Sequence, residues 1–404
     1  MAPLRRSARW LAAAALVLLV GTPGVAGAAD PKIDPNAPTP TTPHPGGPPE
    51  GRSPDGTVVG GDALGERGFA LPEDGPALPT DITARGWLVA DLDSGDVLAA
   101  RDPHGRYYPA STLKTLTLLT LHDELDPAAV VTGALEDASV DGTKVGIVEG
   151  GKYPALLLFQ ALMMSSGNDA ASALARAAGG LEPTLELMNA TASQLQAYDT
   201  LAGTPSGLDV VGQSSSPYDL ALFMRQIVED PALLSIMQTP TAVMPAVPPR
   251  YPAYQIQNQN RMLTSYPGML AGKNGFTDAA RYTNVAAAER DGRRLVVSMM
   301  LGEQAPIPMV EQATRLLDWG FALPAGTPPV GELVEPRPPG VPPPTPRSTQ
   351  PQSSTSGGAA QAVAAAGGAA GQTSAAPSPL LLVGLGLSSA LVVMVLVRGR
   401  RRRH

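Results

Sequence analysis

The chain has 404 residues, a net charge of −7, four histidines and no cysteine. Without cysteine there is no disulfide, thiolate metal site or cysteine nucleophile, and the scattered histidines form no HExxH or similar cluster for a zinc hydrolase. The one dense basic cluster is the extreme C-terminus, so nucleic-acid binding has no support.

At the N-terminus, Arg5, Arg6 and Arg9 precede the apolar stretch Trp10–Val20 and a small-residue Ala26-Gly27-Ala28 site, which reads as a secretory signal ending at residue 28. Residues 29–61 are a Pro/Gly-rich linker, and residues 324–379 a second linker rich in Pro, Ser, Gly and Ala. Such composition cannot bury enough apolar surface to fold. Residues 380–397 are uncharged and apolar, near the lower length limit for a spanning helix. The arginines of the tail 398–404 then orient it towards the cytoplasm. The expectation is an exported domain, residues 62–323, held at the cell membrane by a single C-terminal span.

Within that domain Gly86–Leu92 and Val97–Arg101 read as strands joined by a turn at Asp93–Asp96. A helix is expected from Pro109, with Leu113, Leu116 and Leu119 at helical spacing. Residues 154–164 and 170–178 look helical, split by Ser165–Asp169, and 181–199 and 217–229 continue the helical block. The stretch 239–253 is Pro-rich and poorly periodic. Strand signals return at Lys273–Thr277, Tyr282–Glu289 and Arg294–Leu301, with Asp291-Gly292 as a hairpin turn, and Pro308–Phe321 closes as an amphipathic helix. The order implies an α+β fold whose antiparallel sheet is completed by both ends of the domain.

Only five of the 29 Lys and Arg residues are lysines, and two of these stand in short motifs. Arginine stays protonated, whereas a desolvated lysine can act as a base. Lys114 follows Ser111 at i+3, so the two share a helix face. Ser111 in the first turn also puts its N–H at the positive helix end, suited to an oxyanion. Taken alone, that pair is equally an ordinary first-turn serine and a surface lysine. Ser166-Gly167-Asn168 lies in the break between two helices, where its simpler reading is a cap. Lys273-Asn274-Gly275 lies on a strand between two glycines, Gly272 and Gly275, which would let a ligand approach the strand edge. A Ser–His–Asp triad would need His104 or His122, and His122 reads as a helix-end residue.

The ordered set Ser-x-x-Lys, Ser-x-Asn, Lys-x-Gly on helix, loop and strand resembles the penicillin-recognising serine hydrolases. The stretches WLVADLDSGDVLAARDPHGRYYPASTLK, MMSSGNDAA, TPSGLD, SSPYDLALFMR and GKNGFTDAARYTNVAAAERDGRRLVV bring it nearer to the low-molecular-mass D-alanyl-D-alanine carboxypeptidases, across most of 82–321. That resemblance implies a β-lactamase/transpeptidase-like fold: a five-stranded antiparallel sheet flanked by helices, with an all-helical subdomain. It implies no cofactor and no metal. It implies peptidoglycan stem peptides as substrate and β-lactams as covalent inhibitors, with Ser111 as nucleophile, Lys114 as base and Ser166 as proton relay. Asn168 would orient the substrate amide, Lys273 would supply positive potential, and Gly275, Phe276 and Thr277 would line the substrate edge, with the Phe276 N–H completing the oxyanion site. Asn274 departs from the family's usual Thr or Ser, and Thr277 and Arg281 are auxiliary carboxylate contacts. Two alternatives remain: a class A-like β-lactamase, with Glu182-Pro183 as an acidic loop or simply a helix start, and a penicillin-binding sensor or wall-binding module of the same fold.

Overall fold

The computed structural model describes residues 50–324 and 326–345. The expected signal segment, the apolar stretch 380–397 and the arginine tail lie outside the described residues. Among the described residues no helix is long and apolar enough to cross a membrane.

The chain opens with β1 (Phe69–Ala70), β2 (Gly86–Asp91) and β3 (Asp96–Arg101). Gly95 turns the β2–β3 hairpin at φ 83°, a left-handed geometry that glycine adopts without a Cβ clash. A 3-10 turn, Ala110–Leu113, leads into α1 (Lys114–Glu124). The helical block then runs through β4 (Val130–Thr132), α2 (Leu135–Ser139), β5 (Lys152–Pro154), α3 (Ala155–Met164), α4 (Asn168–Ala177) and α5 (Leu181–Gln194). It ends with α6 (Pro217–Glu229) and α7 (Pro231–Gln238), each opened by proline at the first helical position behind an N-cap side chain, Ser216 or Asp230. The hairpin β6 (Thr241–Met244) and β7 (Tyr254–Gln257) and the short α8 (Met262–Ser265) come before β8 (Met269–Thr277), β9 (Arg281–Arg290) and β10 (Arg293–Gly302). Finally come α9 (Met309–Ala322) and β11 (Gly331–Glu332).

The central sheet has the order β1-β3-β2-β10-β9-β8, with β11 also on β3, and every pairing is antiparallel. Five long strands form its body; the two-residue strands β1 and β11 share one edge. Alternating residues serve two cores. Leu88 and Ala90 of β2 face the helical block, with Val285 and Val296. Trp87 and Val89 face α9, with Val297, Leu316 and Leu317. With both faces covered, all six β2 residues are buried. The helix α6 is buried on nearly every side and joins sheet to helical block.

Four expectations need correction. The subdomain is not all-helical, since β4–β5 and β6–β7 form two small ladders. The stretch 239–253 includes β6 and the approach to β7, whose four-residue pairing is too short to show a periodic signal among the prolines. The helix expected over 181–199 stops at Gln194, and Gln196 turns at φ 62°. The folded region also extends beyond 62–323 at both ends. Val59 is buried, and the Gly51 N–H donates to Asp199 at 2.9 Å. Downstream, Leu333 is buried, Arg225 donates to its carbonyl at 3.1 Å, and Glu335 pairs with Arg225 at 2.7 Å. A few apolar and charged side chains anchor these Pro-rich segments, which overall composition does not reveal.

Candidate active site

Ser111 lies on the 3-10 turn where α1 meets the sheet, and that turn is held from three sides. On β9, the Thr283 hydroxyl donates to the Pro109 carbonyl at 2.9 Å. On β8, a Cβ added to Gly275 would stand 2.6 Å from the Ser111 nitrogen. In the loop before α6, a Cβ on Gly207 would meet the Ala110 carbonyl oxygen at 1.8 Å. Only glycine permits either approach. Ala110 itself has φ 47°, an unfavourable geometry for a residue with a Cβ. The constraint falls on the residue directly before Ser111.

Lys114 is wholly buried. Its Nζ lies 3.0 Å from Ser111 Oγ, 2.7 Å from Asn168 Oδ1 and 2.6 Å from the Ser206 carbonyl oxygen. Burial holds its pKa well below the ordinary lysine value; the Lys273 charge adds to this, and Asp169 opposes it. A neutral amine has two N–H bonds and one lone pair. Asn168 Oδ1 and the Ser206 carbonyl can only accept, so they take the two N–H bonds. The lone pair is left for the Ser111 hydroxyl, which then donates to it. The arrangement can therefore deprotonate Ser111 as it attacks a carbonyl carbon.

Asn168 opens α4 and is 5% exposed. Its Nδ2 donates to the Asp141 carbonyl at 2.8 Å, leaving a second N–H on the same nitrogen. Ser166 lies two residues earlier at φ 58°, buried, and makes no hydrogen bond to Ser111 or Lys114 among the described residues. Lys273 on β8 is 3% exposed and donates to the Asn274 carbonyl at 2.7 Å; desolvation lowers its pKa to about 7.

The remaining positions are more peripheral. Asn274 is exposed, and Phe276 is 42% exposed with its ring 4.5 Å from that of Tyr282. The Thr277 hydroxyl donates to Asp209 at 2.8 Å and accepts from the Ala280 N–H. Arg281 is buried and forms two 3.1 Å hydrogen bonds to Glu303. His104 is buried between Asp199, at 2.8 Å, and the Val59 carbonyl, while His122 packs on Phe159. Neither histidine serves Ser111. Glu182 is an exposed first-turn residue of α5, so it is a helix start.

The Ser206 and Asp141 carbonyls were not among the expected site groups. A backbone acceptor has no residue-type signature; the only sequence hint was the Pro-Ser-Gly turn at 205–207.

A buried lysine with a lowered pKa, facing a serine on a constrained turn beside an antiparallel sheet edge, defines a serine hydrolase of the acyl-transfer class. The chain belongs to the D-alanyl-D-alanine carboxypeptidase family, whose sequence model matches residues 73–304. It is 43% identical over 247 residues to the D-alanyl-D-alanine carboxypeptidase DacB2 of Mycobacterium tuberculosis, covering 60% of this chain and 84% of that one. It is 30% identical to DacD of Escherichia coli, covering 60% of this chain and 64% of that relative's length. The crystal structure of a D-alanyl-D-alanine carboxypeptidase from Mycobacterium tuberculosis superposes with a TM-score of 0.62 at 41% identity, over 65% of this chain and 99% of that one. The Streptomyces K15 DD-transpeptidase gives a TM-score of 0.57 at 25% identity, over 61% of this chain and all of that one.

Proposed function

We propose that this protein is a serine-type D-alanyl-D-alanine carboxypeptidase that removes the terminal D-alanine of peptidoglycan stem peptides through an acyl-enzyme on Ser111. The observation that carries the reading is the buried Lys114 amine, 3.0 Å from Ser111 Oγ and also within hydrogen-bond reach of two acceptors, Asn168 Oδ1 and the Ser206 carbonyl. Ser111 Oγ attacks the carbonyl carbon between the two D-alanines as Lys114 takes its proton. The oxyanion forms against the Ser111 and Phe276 N–H groups. Ser166 passes the proton to the departing D-alanine nitrogen, and the second N–H of Asn168 Nδ2 receives the substrate's amide carbonyl. Lys273 supplies positive potential for the substrate's terminal carboxylate beside Asn274 and Thr277. Water then attacks the ester, with Lys114 again as base. A β-lactam carbonyl enters by the same route and leaves a slower-hydrolysing ester.

The topology belongs to the same proposal. A signal ending at residue 28 exports the domain, and the apolar stretch 380–397 with its arginine tail holds it at the cell membrane. The segment from 346 to 379 then gives reach towards the wall.

The test is D-alanine release from a D-Ala-D-Ala peptide by the purified protein, with nitrocefin hydrolysis measured in parallel. Peptide turnover with slow nitrocefin hydrolysis supports the carboxypeptidase. Fast nitrocefin hydrolysis with no peptide turnover would reassign the chain to β-lactam hydrolysis, and acylation without any turnover would make it a sensor.

A further inference from the structure

The fully buried Asp169 carboxylate has no part in the reaction just described. Its partners form a pattern. Asp169 Oδ1 accepts the Val145 N–H at 2.9 Å, and Oδ2 accepts those of Gly146 and Ile147 at 2.8 and 2.9 Å. The preceding residues of that loop bond to Asn168 instead. The Thr143 carbonyl accepts the Asn168 N–H at 2.8 Å, and the Asp141 carbonyl accepts Asn168 Nδ2 at 2.8 Å. Five hydrogen bonds thus lay residues 141–147 across the N-terminus of α4 as a strap. Val145 closes it sterically: a Cβ on Gly167 would stand 3.0 Å from its methyl carbon.

This strap decides which way the Asn168 amide points. An amide side chain can be turned over at little steric cost, exchanging its oxygen for its nitrogen. Turned over here, it would set Oδ1 against the Asp141 carbonyl and Nδ2 against Lys114. Both contacts would pair like with like. The Asp141 carbonyl therefore holds Oδ1 on the lysine, and Asp169 holds the segment carrying that carbonyl.

We propose that Asp169 is a positioning residue for Lys114: by clamping the 141–147 strap it fixes the Asn168 amide that receives one of the lysine's two N–H bonds. The proposal rests on Lys114 acting as the base in the reading above. A carboxylate suits the task because it offers two acceptor oxygens and no donor to a loop presenting three N–H groups. Its negative charge also lies in the first turn of α4, the favourable end of the helix dipole. The groups facing Lys114 are Ser111, Asn168 and the Ser206 carbonyl by direct contact, and Lys273 and Asp169 through their charges. Of these charges, only that of Asp169 favours the protonated lysine.

The experiment compares the full-length protein with Asp169→Asn and Asp169→Glu, each rate normalised to sites titrated by labelled penicillin. That correction removes any loss of folded enzyme, which is all that a merely structural residue would cause. Asp169→Asn puts an NH2 group among the three strap N–H donors and that of Ala170, so kcat per titrated site should fall by about 10²-fold with a smaller change in KM. Removing the charge should also move the acid limb of kcat/KM to lower pH, because Lys114 loses a group that raises its pKa. Asp169→Glu keeps the charge but displaces the strap, so kcat should fall while the acid limb stays. If Asp169→Asn does not fold, the glutamate variant decides alone. Wild-type kcat per site in Asp169→Glu, or in a folded Asp169→Asn with an unmoved acid limb, would overturn the proposal. A wild-type protein without D-alanine release or penicillin acylation would instead sink the underlying carboxypeptidase reading.

Discussion

At the residue scale, the important quantity is the protonation state of two buried lysines. Lys114 must be neutral to take a proton, and its burial with Lys273 nearby favours that state. Activity should therefore appear as pH rises through the Lys114 pKa. Lys273 works in the opposite sense, because it must stay charged to attract a carboxylate. With its pKa near 7, kcat/KM should decline above neutral pH. Lys273→Arg keeps the charge and should move that alkaline limb upward in a pH–rate profile; an unmoved limb would remove Lys273 from the titration. Lys114→Arg supplies charge without a usable lone pair, so kcat should drop by about 10²–10⁴-fold in a stopped D-alanine assay. These lysines were legible in the sequence because a side chain with a role leaves a letter. The Ser206 and Asp141 carbonyls, which finish the site, leave none. The Arg281–Glu303 pair leaves none either, because its two partners lie 22 positions apart.

At the element scale, the site depends on how closely β8 and the loop before α6 approach the turn carrying Ser111. Gly275→Ala would force its Cβ against the Ser111 nitrogen, and Gly207→Ala would collide with the Ala110 carbonyl at a positive φ of 84°. Both should slow acylation by penicillin; Gly207→Ala should also lower the melting temperature, because its positive φ is unfavourable for a residue with a Cβ. Unchanged acylation rates in both variants would show that the turn has room to move. The long strands and most long helices could be read from periodicity, since each repeats its pattern over several residues. The β4–β5 and β6–β7 ladders are only three and four pairs long, which is too little pattern to distinguish from loop.

At the scale of the whole molecule, the segments flanking the expected domain are part of its stability. Leu333 is 3% exposed, so Leu333→Ala should cost about 2–5 kcal/mol in a denaturant titration. No change would return that segment to the status of a linker. The upstream segment is held by the buried cluster of His104, Arg106, Asp199 and Asp219. His104 is raised above its ordinary value by its hydrogen bond to Asp199, overcoming the opposing effect of burial. Asp219 is pushed up to about 8, chiefly by burial and then by the Asp199 charge. Both hold protons in the folded protein that the unfolded chain releases, so stability should fall as pH rises from about 4 to 8 for Asp219 and above about 6.5 for His104. Asp199 is depressed and acts in the other direction, losing its contribution at acid pH. Asp219→Asn should flatten the slope of melting temperature against pH between about pH 4 and 8; an unaltered slope there would place the linkage elsewhere.

The central claim is that Ser111 is the acylated group. Intact-protein mass spectrometry after brief exposure to a penicillin, followed by peptide mapping, addresses it directly. One adduct of the drug's mass should appear on the peptide containing Ser111 and be absent from Ser111→Ala. An adduct that persists in Ser111→Ala would contradict the account.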